Sequence, residues 1–123
     1  MAKNNKGKKV DRKQKRVSEE EELAQLQKRI DEFDPLLSQD LSQFLDLPIT
    51  AATLRGLKEA NFVAMTDIQK KTICMSLKGE DIMGTAKTGS GKTLAFLVPV
   101  VEALIRNKIT EYDGLAALII SPT

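Results

Sequence analysis

One stretch carries residue types at a spacing that could do chemistry: Ala86-Lys87-Thr88-Gly89-Ser90-Gly91-Lys92-Thr93. Gly89 and Gly91 permit backbone angles that a side chain would obstruct, so successive N–H groups can turn toward one anion. The apolar run that follows, Leu94 to Ile105, has helical spacing, and the positive end of that helix would point at the same place. Lys92 adds a movable charge able to reach phosphate oxygens. The Thr93 hydroxyl suits magnesium, which takes oxygen ligands and keeps most of its waters. A strand-like run, Asp81 to Gly84, comes just before. Strand, glycine loop and helix in that order make a phosphate-binding loop, and the ligand class it predicts is a nucleoside triphosphate with magnesium. The first loop position is Ala86 rather than Gly, so it must take an ordinary negative φ.

Other elements must hold that loop in place. Thr50 can cap a short helix from Ala51 to Ala60, with Leu54 and Leu57 on one face. Thr66 and Gln69 fit a capping box for a helix from Asp67 to about Lys78, ended by Gly79. The Gln69 amide also carries a donor and an acceptor together, which matches the edge of adenine. Spacing alone leaves both readings of Gln69 open. A helix over Thr93 to Arg106 and a polar loop from Asn107 to Gly114 lead to Leu115–Ile120, which reads as a buried parallel strand. One loop and two strands fall short of the roughly five strands of a doubly wound sheet. The expectation is therefore the front end of a longer chain.

The amino end differs in composition. Residues 1–17 hold Lys or Arg at positions 3, 6, 8, 9, 12, 13, 15 and 16, with Asp11 the single acid. So few apolar residues predict a disordered basic tail, serving as an arm on RNA phosphates, as a nuclear or nucleolar address, or as a solvated tail with no partner. Ser18 to Phe33 reads as a helix, opened by a capping box from Ser18 to Glu21. Leu23, Leu26, Ile30 and Phe33 form a narrow stripe that needs a surface, either its own domain or a protein partner. Asp34-Pro35 ends it. The sequence has 123 residues, net charge +2, no His and one Cys. That length fits one domain at most. Cys74, in an apolar run, reads as a small buried hydrophobe in a reducing compartment. No zinc ligand set can be assembled. No apolar run approaches the roughly twenty residues of a membrane span.

Taken together, residues 41–123 resemble the start of the amino-terminal RecA-like domain of a DEAD-box ATP-dependent RNA helicase. Ala86 to Thr93 resembles that family's first motif, the initial Ala included. Phe62 through Thr66-Asp67-Ile68-Gln69 is similar to its Q motif, with Phe44 at the distance of its isolated upstream aromatic. Ser121-Pro122-Thr123 resembles the opening of a motif that contacts RNA. Two positions depart from the pattern: Asn61 stands where Gly is usual, and Met65 where Pro is usual. Asn tolerates left-handed backbone, so the first departure is mild. The second loosens the turn before the helix.

The resemblance implies an α/β protein: an incomplete, P-loop, RecA-like parallel sheet, preceded by a disordered basic tail (1–17) and an amphipathic helix with linker (18–40). The RecA-like part would begin at 41, with the Q motif over 44–69 and the phosphate loop over 86–93. Gln69 would bond the adenine edge, Phe62 would stack on the ring and Phe44 would brace the motif. Ala86, Lys87, Thr88, Gly89, Ser90, Gly91, Lys92 and Thr93 would hold ATP, with Thr93 on Mg. Pro122 and Thr123 would touch RNA. The whole enzyme would open RNA duplexes, while this fragment alone would not turn over ATP. Lys87 to Pro99, with the basic tail, is most similar to nucleolar members that act in ribosome assembly. The rival readings are another P-loop ATPase, which adenine preference tests, and a docking segment, which residues 1–40 alone would test.

Overall fold

The computed structural model describes residues 6–36 and 40–122. Within them the chain forms α1 (Lys6–Glu32), α2 (Ala51–Glu59), α3 (Asp67–Leu77) and α4 (Lys92–Arg106), with a 3₁₀ turn at Phe44–Asp46. The local signals explain the boundaries. The Thr50 hydroxyl accepts from the Thr53 N–H at 3.3 Å and starts α2. Asn61, at φ 63°, turns the chain left-handed after α2, as an Asn can. Gly79, at φ 86°, does the same after α3. Helix α4 follows Gly91 and contains Pro99, which has no N–H to give to the Ala95 carbonyl.

Packing centres on α3 and α4. The core comprises Phe44, Leu47, Ile49, Leu57, Met65, Ile73, Cys74, Leu77 and Val98. Cys74 is buried and in no disulfide. Met65 is buried too, so this departure from the motif contributes to the core. An isolated antiparallel bridge, Gln43 with Ala64, ties the 3₁₀ turn to the strand-like approach to α3. The Phe44 N–H donates to the Val63 carbonyl at 3.0 Å, and the Met65 N–H to the Ser42 carbonyl at 2.8 Å. In the loop after α4, the Thr110 backbone N–H (2.6 Å) and hydroxyl (2.9 Å) both donate to Asp113, holding its carboxyl below the usual range.

Glu102 is fully buried on α4, among its apolar positions. It accepts from the Thr50 N–H at 3.1 Å, the Thr50 hydroxyl at 2.8 Å and the Thr53 hydroxyl. All three donors sit at the amino end of α2, where a carboxylate is favoured. Glu102 therefore clamps α2 onto the helix that follows the phosphate loop. Glu102→Leu would leave those donors buried and unpaired. We expect it to destabilise the protein by about 2–4 kcal/mol, whereas Glu102→Gln, which can still accept, should lose less. Thermal melting of both variants checks this; equal midpoints would show that the clamp contributes nothing.

Two expectations differ from the structure. First, the sequence predicts disorder over residues 1–17 and a helix start at Ser18, yet α1 runs from Lys6 through Ser18 without a break. Met1 to Asn5 lie outside the described residues. Low apolar content does mean no core, and residues 11–20 are all exposed. It does not prevent a helix. Lys, Arg, Gln and Glu are good helix formers, and the run from Lys6 to Glu32 contains no Pro and only Gly7 as a breaker. A helix anchored at one end can extend along such a run. The anchor is built from several contacts: Leu26 and Ile30 are buried, Phe33 packs on the core, and the Glu22 carboxylate accepts from the Ala51 N–H at 2.9 Å. The apolar stripe thus lies on the chain's own domain.

Second, no β-ladder forms among the described residues at Asp81–Gly84 or Leu115–Ile120. The first segment lies along α3, where a Cβ at Gly84 would stand 3.4 Å from Ile68. Both segments leave apolar side chains in water, with Met83 99% and Ile120 87% exposed. The physical reason is that a strand is stabilised by its neighbours. A parallel pair joined by one crossover helix has too few ladder bonds and too little covered area to order itself.

Candidate functional site

The loop 86–91 joins the segment beside α3 to the start of α4. Gly89 and Gly91 have φ of 79° and 83°, the left-handed values that their lack of a Cβ permits, while Ala86 does not. The Ser90 N–H donates to the Lys87 carbonyl at 3.2 Å, closing a turn that requires positive φ at Gly89. The Lys92 ammonium donates to the Ala86 carbonyl at 2.6 Å. Sequence reasoning points these groups at an anion. In the structure both groups donate to carbonyls of the loop itself.

Gly91 also touches α3. A Cβ there would stand 2.5 Å from Gln69 Nε2 and 3.0 Å from the Thr66 hydroxyl oxygen. Gln69 is buried at 3% exposure. Its Oε1 accepts from the Thr66 N–H at 2.8 Å, and its Nε2 donates to the Gly91 carbonyl at 3.0 Å. The helix cap and the phosphate loop are therefore joined through one amide. An amide has two N–H donors and two acceptor lone pairs. These two bonds leave one of each, so capping and recognition of a base edge are not exclusive.

Beside this contact lies a cleft of about 500 Å³ lined by Thr66, Asp67, Ile68, Lys71, Thr85, Ala86 and Ser90. The Thr66 and Ser90 hydroxyl oxygens are buried with no hydrogen-bond partner among the described residues. Two unpaired hydroxyls, a lysine and a glycine-shaped loop fit an oxygen-rich anion such as a triphosphate. Residues 66–123 match the sequence pattern of DEAD/DEAH box helicases. This stretch belongs to the DEAD/DEAH box helicase family.

The family match begins at Thr66, the cap of α3, and takes in Gln69 and the whole loop. Named relatives extend the similarity over the rest. The chain is 70% identical to ATP-dependent RNA helicase DBP4 of Candida albicans, over 100% of this chain and 17% of that protein. It is 71% identical to the Debaryomyces hansenii protein of the same name, over 94% of this chain and 15% of that protein. It is 53% identical to ATP-dependent RNA helicase HCA4 of Saccharomyces cerevisiae, over 100% of this chain and 16% of that protein. The chain thus spans about a sixth of the length of the curated relatives it matches.

The remaining residues singled out from the sequence are placed as follows. Lys87, Thr88, Lys92 and Thr93 lie on the loop and the first turn of α4, with Lys87, Thr88 and Thr93 open to solvent. Phe62 is 47% exposed, and its N–H donates to the Leu57 carbonyl at 2.8 Å. Phe44 is buried, and its N–H donates to the Val63 carbonyl. Pro122 is exposed in the extended segment after α4, and Thr123 lies outside the described residues. Among the described residues no cluster of three or more His, Cys, Asp or Glu could hold a metal, so a magnesium ion here would rest on the Thr93 hydroxyl and on groups from elsewhere. Sequence reasoning missed Glu102, and it read Thr66 as a helix cap rather than as part of the site. A signal for Glu102 exists: it stands four residues after Val98, a carboxylate in the apolar register of α4.

Proposed function

We propose that the whole protein is an ATP-dependent RNA helicase and that this chain supplies its nucleotide cradle. The observation that supports this most is the Gln69 amide, which joins the cap of α3 to the phosphate loop through two bonds that use one of its two N–H donors and one of its two lone pairs. Bound Mg-ATP would supply a phosphoryl group for transfer to water. The residues of this chain position it and balance its charge, which is most of what such catalysis needs. Lys92 would leave the Ala86 carbonyl and neutralise phosphate oxygens, the loop amides of residues 87–91 would hold the phosphates, and Thr93 would give one oxygen to magnesium. Phe62 would stack on the base, Phe44 would brace it from behind, and Gln69 would read the adenine edge. Pro122 and Thr123 would contact RNA. We place the RecA-like domain from residue 41, and the protein in the nucleolus, in ribosomal RNA processing.

Base choice tests the reading. Gln69→Ala should weaken ATP binding about tenfold or more and leave the already weak GTP binding nearly unchanged. A site built to hydrogen-bond one base discriminates because the wrong base leaves buried groups unpaired. Titration of both nucleotides against wild type and variant decides it. Equal wild-type affinity for ATP and GTP would reduce Gln69 to a cap and a loop support.

A further inference from the structure

The unused half of α1 points to an interaction surface. At about 100° per residue, Arg12, Lys13, Lys15 and Arg16 fall within roughly 160° of the helix circumference. Leu23, Leu26 and Ile30, the side that packs on the domain, fall within the same sector by the same count. The four basic side chains are exposed, and among the described residues none has an ion-pair partner. The acids just after them are used differently. Glu22 accepts from the Ala51 N–H, and Glu20 pairs with Lys108 at 3.2 Å beyond the end of α4. Acids therefore fix α1 to its domain, and the bases that precede them remain over. About 18 Å of helix, residues 6–17 at 1.5 Å each, carries them past the anchored part. Arg16 and Lys108 line one cavity of about 700 Å³ between α1 and the end of α4.

We propose that the amino half of α1 is a preformed phosphate-contacting face for single-stranded RNA. It is held at a fixed angle over the α4 end of the domain and bounded by the acids at 19–22. A dense row of like charges with no internal partner complements a polyphosphate backbone, and binding there releases counterions. Because the helix already exists and its far half is anchored, little chain entropy is lost when RNA arrives. The face reads no base sequence. It makes the protein hold a strand beside the domain, independent of nucleotide, and it presupposes the RNA reading above.

The experiment uses the whole protein and a uridine 20-mer, at several salt concentrations, without nucleotide. Arg12, Lys13, Lys15 and Arg16 are changed together to Gln, which keeps helix propensity. Affinity at 0.1 M salt should fall about tenfold, and the log–log salt slope should drop by about 3, at roughly 0.7 per lost contact on a single strand. In a second variant, Val17→Pro, every charge is kept but the helix is broken between arm and anchor. Val17 is half exposed, and Pro is tolerated in the first turn of the helix that remains. This variant should also lose affinity, by about threefold, because the charges are no longer preformed. Affinity for an ATP analogue should stay at the wild-type value in both. Wild-type RNA affinity and slope in the Gln variant would overturn the proposal and leave the bases to a protein partner such as an import receptor. Wild-type RNA affinity in Val17→Pro would overturn it in favour of a shapeless tail. A wild type that binds no RNA at all would instead sink the helicase reading with it.

Discussion

Lys92→Ala should abolish ATP hydrolysis by the whole protein, by a hundredfold or more, while leaving its fold intact. The lysine begins α4, at the positive end of a helix, beside a loop whose backbone can supply dipoles but no full charge. Its ammonium is exposed and donates to the Ala86 carbonyl. Removing it therefore takes nothing from the core. Loss of a charge-assisted contact is worth about 1.5–3 kcal/mol in binding. The loss is larger where negative charge develops in the transition state, since each ~1.36 kcal/mol is a factor of ten in rate. Turnover with and without RNA, beside a melting curve, checks it. Near-normal turnover from a folded variant would remove the loop from the catalytic centre.

The second large effect is expected at Gly91. Gly91→Ala places a Cβ 2.5 Å from Gln69 Nε2, at a φ of 83° that Ala disfavours. The left-handed backbone costs about 1–2 kcal/mol, and displacing Gln69 from the Gly91 carbonyl loses about 0.5–1.5 kcal/mol more. Nucleotide affinity should fall by about one to two orders of magnitude, at ~1.4 kcal/mol for each. Gly89→Ala is the control. Its φ is 79°, but a Cβ there meets nothing within 4 Å among the described residues, so only the backbone term applies. Titration of a fluorescent ATP analogue should therefore rank wild type, Gly89→Ala, then Gly91→Ala. If the two variants bind alike, the Gln69 contact does not support the site.

The parts of the fold legible in the sequence are those fixed by local chemistry. Thr50, Thr66 and Gly79 announce helix ends because caps act within one turn. Gly89 and Gly91 announce a loop because nothing else takes those angles cheaply. Asn61 is legible through its departure from Gly because its side chain allows the same backbone. What is not legible depends on groups distant in sequence. The Gln69–Gly91 bond spans 22 residues and the Thr50–Glu102 bond spans 52. A polar residue in an apolar register can be noticed within one helix, but nothing in that helix names its partner. The length of α1 escapes the sequence for a different reason. Absence of apolar residues means absence of a core, not absence of structure, and the run from Lys6 to Val17 needs only helix propensity and an anchor further along. The two strand-like runs are legible as apolar but not as unpaired, because pairing depends on neighbours rather than on the run itself.

The exposed segment Leu115–Ile120 has a consequence for handling the chain. Six consecutive residues without a charge, ending in two isoleucines and lying in water, are a cross-β nucleus waiting for a second copy. The flanks work against this. Asp113 and Gly114 stand before the segment and Pro122 shortly after it, so a charge, a flexible joint and a missing N–H limit how far an intermolecular ladder could grow. Gatekeepers of this kind do not prevent self-association of an uncovered strand; they shorten it. A partner strand from the same molecule and one from a second copy would therefore compete for the same row of backbone groups.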